Sequence, residues 1–178
     1  MKTLFKLFIP ALFFICFCGR VHSQSDPEKL KSDIMKVYDI FNSYSYDKLG
    51  DYIDDNFIEH SPDPGQKQGL SGLKEEFENL HKGFPDYKMT VNDIIVNQTG
   101  DKAAVLFTWA GTNSGEMMGM KPTNKPVNVQ GIDYLYFKNG KATEHWGYMD
   151  MNLMMQQLGM MPPPSQNNSN VNSNTNSK

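Results

Sequence analysis

The sequence that decides the fold is the stretch DYLYFKNGKATEHWGYMD, residues 133–150. Its centre, Asn139-Gly140, is the strongest short hairpin signal in the chain, because a type I′ turn needs positive φ at both central residues. We therefore predict two antiparallel strands joined by this turn, with Lys138 and Lys141 flanking it and fixing the pairing.

Regular pairing from this turn predicts which side chains share a face of the sheet. It places Asp133 opposite Trp146, and Tyr134 opposite His145. Alternate side chains of a strand point to the same face. The residues predicted on one face are Asp133, Trp146, Tyr148 and Asp150. That face would hold two carboxylates beside two large aromatic rings, whereas His145 is predicted on the opposite, convex face and outside any catalytic site.

The first 23 residues have the pattern of a cleaved secretory signal. Two lysines supply a basic start, the run Leu7–Cys18 is apolar throughout, and small or permissive residues precede Gln24. We predict a secreted or periplasmic protein with no stable membrane anchor after cleavage, because the apolar run is too short to span a bilayer well. An uncleaved anchor and a lipoprotein modified at Cys18 are the alternatives.

The cysteine and arginine content limits the chemistry of the mature chain. Cys16 and Cys18 both lie in the predicted signal, which excludes a cysteine nucleophile, a thiolate metal site and a disulfide scaffold. Arg20 is the only arginine, and loss of the three basic residues of 1–23 changes the formal net charge from −3 to −6. Because nucleic-acid recognition depends on arginine forks and basic patches, nucleic acid is not a predicted partner.

The rest of the chain divides into a folded domain and a tail. Residues 162–178 contain three prolines followed by Ser, Gln, Asn and Thr. Such a segment buries too little apolar surface to offset the entropy of ordering it, so we predict a disordered tail. The predicted folded domain covers residues 24–161, which is long enough for one hydrophobic core.

Within this domain, predicted helices precede predicted strands. A capping box at Ser25-Asp-Pro-Glu28 starts the first helix. The predicted helices cover 26–42, 46–53, 71–83 and 151–159, with a short extended piece at 57–60. Period-two patterns predict strands at 87–97, 103–111, 127–137 and 142–150. This order is typical of an α+β fold. We expect a strongly bent, antiparallel four-stranded sheet whose concave face is covered by helices and encloses a cone-shaped cavity.

Short motifs occur in a fixed order along almost the whole domain. They are Asp55-Asn56-Phe57 with His60 and Pro62; Gly72 and Phe84-Pro85-Asp86; Gly111-Thr112, Gly115, Gly119 and Pro122-Thr123; Val127, Gly131 and Asp133; Asn139-Gly140-Lys141; Glu144-His145-Trp146; Asp150; and Gln157-Leu158-Gly159. In these motifs the chain resembles the SnoaL-like polyketide cyclase, or ester cyclase, group of the NTF2-like superfamily. The resemblance implies an NTF2-like cone-shaped barrel.

The resemblance also implies a kind of chemistry. Cyclases of this family close a ring by intramolecular aldol condensation without a metal or cofactor. An acidic residue near the end of the last strand serves as general acid/base, and the matching position here is Asp150. Related folds often use the convex sheet face for dimer contacts, which implies a homodimer.

Asp150 and His60 are the predicted catalytic residues. In an apolar pocket beside Trp146 and Tyr148, a carboxyl group titrates nearer neutrality and can exchange protons with a carbon acid. The alternative is that Asp150 simply caps the final helix, a position that Asp fills well. His60 ends an extended segment beside a proline-rich loop, where it is either a second acid/base group or a rim residue without chemistry.

Six side chains are predicted to contact the ligand. They are Asp133, Trp146, Trp109, Tyr148, Phe57 and Met118. Nine of the twelve methionines lie in the last third of the domain, which suits a pocket that adapts to varied ligands. A Cu(I) site is the weaker alternative for these thioethers, and no metal or cofactor is predicted.

Two functions are consistent with these patterns. The first is an exported barrel that binds a hydrophobic small molecule and carries out cofactor-free acid/base chemistry of the cyclase, isomerase or hydrolase kind. The second is a non-catalytic ligand-binding or dimeric interaction module on the same scaffold, since a fold does not determine a function.

Overall fold

The structure, a computed structural model, describes residues 26–117, 119 and 121–162. The predicted signal at 1–23, Met118 and the tail beyond Pro162 lie outside the described residues. The helices are α1 (Pro27–Ser43), α2 (Gly69–Gly83) and α3 (Met151–Leu158), with a short 3₁₀ helix at Tyr46–Asp51. The strands are β1 (Ile53–Glu59), β2 (Lys88–Val96), β3 (Lys102–Thr112), β4 (Pro126–Lys138) and β5 (Lys141–Met149).

Helix α1 starts where its capping residues predict a helix start. The carboxylate of Asp26 accepts a hydrogen bond from the backbone N–H of Glu28 at 3.0 Å, and Pro27 occupies the first turn. The capping box predicts Ser25 in this role, but Ser25 lies outside the described residues and the observed cap is Asp26. The buried face of α1 repeats at helical spacing through Leu30, Ile34, Tyr38 and Phe41. None of the helices in the described ranges has the length and apolar character needed to cross a membrane.

The five strands form one sheet in the order β1-β5-β4-β3-β2. Strands β2 to β5 pair antiparallel in sequence order, as predicted, and the predicted α+β class is confirmed. The predicted number of four strands is wrong, because β1 pairs parallel with β5 as a fifth strand. Its polar run Asp54-Asp55-Asn56 lacks the composition typical of a strand, which is why only residues 57–60 are predicted to be extended.

The hairpin turn has the predicted conformation. Asn139 and Gly140 have φ angles of 54° and 79°, as a type I′ turn requires. Lys138 pairs with Lys141 across it. The turn therefore connects β4 to β5 at the predicted position.

A β-bulge in β5 changes the register beyond the turn by one residue. Phe137 of β4 pairs with Ala142. The preceding β4 residue, Tyr136, pairs with Glu144, so Thr143 is an extra residue in β5. A one-residue shift exchanges the two faces of a strand. Every β5 side chain beyond Thr143 therefore lies on the face opposite to the predicted one.

The predicted pairs Asp133–Trp146 and Tyr134–His145 are wrong for this reason. The observed pairs are Asp133–Gly147, Tyr134–Trp146 and Leu135–His145. His145 consequently shares the concave face with Asp133. Trp146 and Tyr148 lie on the convex face, where Tyr148 is 64% exposed.

Glycine at position 131 lets an aromatic ring lie against the sheet. Gly131 of β4 pairs with Phe107 of β3, whose side chain is buried. A Cβ atom built on Gly131 would lie 2.3 Å from Cζ of Phe107, well inside van der Waals contact. The ring therefore occupies the space that any larger residue at 131 would need.

We expect Gly131→Ala to lower the free energy of unfolding by about 1–3 kcal/mol, because the added methyl group must displace the Phe107 ring in a packed core. Urea unfolding followed by circular dichroism measures this change. The matched control is Gln130→Ala, at the adjacent exposed position, which should change the free energy by less than about 0.5 kcal/mol. Equal stability of Gly131→Ala and the wild type would contradict this packing.

Candidate functional site

The concave face of the sheet and the helices enclose a cavity of about 820 Å³. Apolar side chains from all three helices line it, including Ile34 and Phe41 of α1, Leu73 and Phe77 of α2, and Met154 and Leu158 of α3. Ligand-binding cavities in proteins commonly have volumes of about 300–1,000 Å³. This cavity is large enough for a small molecule with several rings.

Several methionine residues from the last third of the domain line the cavity. They are Met117, Met149, Met151, Met154 and Met155. Unbranched thioether chains can change rotamer at low cost, so this wall suits ligands of varied shape. Met118, the methionine predicted to contact the ligand, lies outside the described residues.

Four polar side chains of the cavity lining form a hydrogen-bonded network: Tyr38, Glu59, Asp133 and His145. His145 is the centre. Its Nδ1 atom lies 2.5 Å from Oε2 of Glu59, and its Nε2 atom lies 3.0 Å from Oδ1 of Asp133. The hydroxyl group of Tyr38 donates a hydrogen bond to Oδ2 of Asp133. An imidazole between two carboxylates is placed for two charge-assisted hydrogen bonds.

Strand pairing brings the members of this network together. Glu59, the last residue of β1, is the parallel partner of His145. Asp133 pairs with Gly147, two residues beyond His145 on the same face. Gly147 also leaves room for the imidazole, since a Cβ atom there would lie 2.9 Å from Cε1 of His145. Helix α1 crosses above and supplies Tyr38.

Glu59 is held in place from its other side. The backbone N–H of Ser61 donates to Oε1 of Glu59 at 2.8 Å. The side-chain amide of Gln68 accepts from the Glu59 backbone N–H at 2.8 Å and donates to its carbonyl oxygen at 2.9 Å. Both carboxylate oxygens of Glu59 are thus engaged, and the residue is only 7% exposed. It is placed to orient His145 rather than to contact a ligand.

The network holds His145 in its protonated form. Burial by itself would lower the pKa of His145, but the hydrogen bonds and charges of Asp133 and Glu59 outweigh it and raise the pKa to about 9. At neutral pH the imidazolium therefore donates from both nitrogens. Burial, and then the charge of Asp133, raise the pKa of Tyr38 above its ordinary value, so its hydroxyl group stays a neutral donor.

A further titratable group lines the cavity at Glu76 of α2. Burial raises the pKa of Glu76, and the neighbouring Asp63 raises it further, to about 7. The charges of Glu59 and Glu75 act in the same direction. A substantial fraction of Glu76 is therefore protonated at neutral pH and shares its proton with Asp63 at the cavity wall.

Asp150 does not line the cavity. It is the N-cap of α3, where its Oδ1 atom accepts a hydrogen bond from the backbone N–H of Leu153 at 2.9 Å, and it is exposed. The prediction that Asp150 shares a face of the sheet with Asp133 is wrong, because the bulge at Thr143 changes the register. The structure thus places Asp150 in the alternative role that its sequence position also suggested, and the acid/base role has no support from this geometry.

His60, Trp146 and Tyr148 also lie away from the cavity interior. The His60 ring stacks on Trp146 with centroids 4.0 Å apart, and its Nε2 atom lies 2.8 Å from Oε2 of Glu144. This group is on the convex face of the sheet. Tyr148 is among the residues that border the cavity, but its side chain is largely exposed. It lies on the convex face beside its strand partner Ile132. The structure does not bring these three predicted site residues together with Asp133.

Four of the predicted ligand contacts are among the lining residues of the cavity: Asp133, Phe57, Trp109 and the largely exposed Tyr148. Phe57 and Trp109 are 3% and 2% exposed, respectively. Sequence reasoning missed Tyr38, Glu59, Glu76 and, above all, His145. The motif Glu144-His145-Trp146 drew attention to the right strand, but the sequence contains no local signal for the bulge that turns His145 inward.

The raised pKa of His145 links the stability of the protein to pH. The pKa of about 9 lies above the ordinary value of 6.5, so the stabilisation is complete below pH 6.5 and is lost as the pH rises through 9. We expect the free energy of unfolding to fall by on the order of 2 kcal/mol between pH 7 and pH 9.5. Urea unfolding across this range measures the change.

Two substitutions separate this effect from other titrations. His145→Gln should be less stable and should lose most of the dependence on pH between 7 and 9.5. His60→Gln removes a histidine whose carboxylate partner is on the exposed face, and it should keep the wild-type dependence. A His145→Gln variant with the wild-type slope would contradict the buried ion-pair network.

Solved structures share this fold. TsrD from Streptomyces laurentii matches with a TM-score of 0.70 at 22% identity, over 77% of this chain and 99% of that one. IdmH from Streptomyces antibioticus, assigned as a polyketide cyclase, has a TM-score of 0.64 at 30% identity, over 74% of this chain and 99% of its own. A protein from Bacillus cereus with the same assignment has a TM-score of 0.64 at 26% identity, over 75% and 82%.

The comparison with curated proteins found no match. A family model, that of the SnoaL-like polyketide cyclases, matches residues 32–158. This range begins within α1 and ends at the last residue of α3, so it covers the whole sheet and every cavity-lining residue except Leu30. The chain belongs to the SnoaL-like polyketide cyclase family, with the NTF2-like fold.

Proposed function

We propose that the protein binds a hydrophobic small molecule in the cavity and carries out cofactor-free acid/base chemistry on it, of the cyclase, isomerase or hydrolase kind. The observation that carries this proposal is the protonated His145 held between Glu59 and Asp133 on an apolar cavity wall. Burial of an ion pair is costly unless it is well hydrogen-bonded, and such groups cluster at functional sites. The family membership of the chain supports the same class of chemistry.

Asp133 is the proposed general base. Its two oxygens accept one hydrogen bond each from His145 and Tyr38, which leaves a lone pair on each oxygen. The carboxylate takes a proton from the carbon next to a ligand carbonyl group. The C–H electron pair forms the carbon–carbon double bond of an enolate, and the carbonyl oxygen takes the negative charge.

The protonated Asp133 then returns its proton. In ring closure, the enolate carbon bonds to a second carbonyl carbon of the same ligand, and the alkoxide that forms there takes the proton. In isomerisation of a β,γ-unsaturated ketone, the enolate is a conjugated dienolate, and its γ-carbon takes the proton as the double bond shifts. Positive charge on His145 stabilises the anionic ligand in this water-poor setting, where electrostatic interactions are strong. Glu59 is a positioning residue that keeps His145 oriented and charged.

The convex face favours a second role as an interaction surface. Large apolar side chains are exposed there on neighbouring strands, among them Leu106, Ile132, Tyr134 and Tyr148. Contiguous exposed apolar surface is typical of a contact site. We propose that two copies of the chain associate through this face. In the first function the dimer is the form of an active enzyme; in the alternative function, dimer formation is itself the role of the protein and no reaction is catalysed.

We also propose export, on the pattern of residues 1–23. The protein recovered from outside the cytoplasm of its native host should begin at Gln24, because the small residues before it form the signal-peptidase site. Intact-mass measurement checks this start. A chain that retains Met1, or one that begins at a lipid-modified Cys18, would contradict cleavage after Ser23.

Proton transfer by Asp133 can be tested without the natural substrate. 2-Tetralone is a small hydrophobic ketone with acidic carbon–hydrogen bonds, and its exchange in D₂O is measured by proton NMR. The wild type should accelerate this exchange, and Asp133→Asn should reduce the enzyme-dependent rate by at least about 100-fold, because an amide is not a base.

Asp150→Asn is the matched control, since asparagine caps a helix as well as aspartate does and Asp150 lies outside the cavity lining. It should retain the wild-type rate. The absence of any wild-type acceleration would contradict the proposed chemistry. A large loss in Asp150→Asn with no loss in Asp133→Asn would move the base to the residue favoured by the sequence motifs.

A further inference from the structure

One buried donor in the cavity wall has no role in the chemistry above. Trp109 of β3 lines the cavity and is 2% exposed. Its indole N–H finds no hydrogen-bond acceptor among the described residues. Most buried N–H groups in proteins have a partner, because an unmade hydrogen bond in a low-dielectric interior is costly.

The neighbours of Trp109 do not supply an acceptor of normal strength. The Phe84 ring meets the indole nearly edge-on with centroids 4.8 Å apart, and the Tyr87 ring lies 6.5 Å away. A ring face is a weak acceptor. The Tyr87 hydroxyl group is engaged with Tyr46 and with the carbonyl oxygen of Phe41. The N–H group of Trp109 is therefore left without an acceptor among the described residues, on a residue that lines the cavity.

The distance along the sheet between Trp109 and Asp133 sets the length of a ligand that can contact both residues. Trp109 pairs with Val129, and Val105 pairs with Asp133. Val129 and Asp133 are four residues apart on the concave face of β4, which corresponds to about 13 Å of strand. The Phe107 ring lies between them on the same face. One elongated, flat molecule can lie across this ring and reach both ends.

We propose that Trp109 is a specificity-determining hydrogen-bond donor that binds an acceptor oxygen at the end of the ligand remote from Asp133. The ligand class is a neutral, elongated hydrophobic molecule with a ketone, ester or ether oxygen at that end. A neutral ligand is favoured because an anionic group that reached the network would meet the carboxylate of Asp133. The inference rests on the proposed binding of a hydrophobic molecule in the cavity, but not on the proton-transfer step.

A matched pair of probes tests this donor. 2-Acetylnaphthalene carries a carbonyl oxygen where 2-isopropenylnaphthalene carries a methylene group, and the two molecules are otherwise alike in shape. The wild type should bind the ketone about tenfold more tightly, the value of one hydrogen bond to a buried donor. In Trp109→Phe, which keeps a ring but removes the donor, the two dissociation constants should become nearly equal. Trp146→Phe removes the other indole of the chain, on the convex face, and should keep the preference.

The Trp146→Phe variant also gives a readout that does not depend on the folding of Trp109→Phe. Its single indole N–H signal in a proton–nitrogen NMR spectrum belongs to Trp109. Saturation with 2-acetylnaphthalene should move the proton signal downfield, whereas 2-isopropenylnaphthalene should not.

The outcomes separate this inference from the proposed function. Equal affinities of the wild type for the two probes, or a preference that survives in Trp109→Phe, would overturn the role of Trp109 while leaving ligand binding intact. An indole signal that responds in the same way to both probes would overturn it as well. Binding of neither probe would overturn the hydrophobic ligand site itself, and with it this inference.

Discussion

The extra residue Thr143 in β5 determines which side chains face the cavity. The turn at Asn139-Gly140 starts the β4–β5 pairing in a regular register, and the bulge then shifts it by one residue. Because strand side chains alternate, this shift turns His145 inward and Trp146 outward. The position of the histidine, the composition of the convex face and the identity of the site all depend on it.

The inward position of His145 is stable only because its surroundings compensate for its burial. A charged imidazole on an apolar wall needs partners on both nitrogens, and the parallel pairing of β1 with β5 brings Glu59 to one of them. Asp133 reaches the other, and Gly147 leaves space for the ring. The fifth strand therefore extends the sheet and also completes the site. The same arrangement places charged groups beside the apolar side chains of the cavity wall, as acid/base chemistry on a hydrophobic ligand requires.

Local signals in the sequence were sufficient for most of the architecture. The helix start near Asp26, the type I′ turn and the four antiparallel strands each have a short-range cause, and the structure confirms them. Trp109 and Phe57 are buried and line the cavity, because β3 and β1 carry them inward. Asp133 also lines the cavity, although its predicted partner across the hairpin is wrong.

What the sequence could not show depends on long-range pairing. No residue type near Thr143 distinguishes a bulge from a regular strand. Strict alternation of side chains along β5 therefore predicts His145 on the convex face, which is wrong. Glu59 and Tyr38 are distant in sequence from His145, and only the folded sheet and α1 bring them together. For Asp150 the local sequence is consistent with two positions, because a carboxylate at the end of a strand suits both a pocket and a helix cap. The structure places it at the cap.

A pH titration of the His145 imidazole by nitrogen-15 NMR is the direct test of the inward register. The imidazole should titrate with a pKa of about 9 and carry a proton on both ring nitrogens at pH 7, because Glu59 and Asp133 each accept a hydrogen bond from the ring. A His145 ring that titrates near the ordinary value of 6.5, or that stays neutral at pH 7, would contradict the inward register and the site built on it.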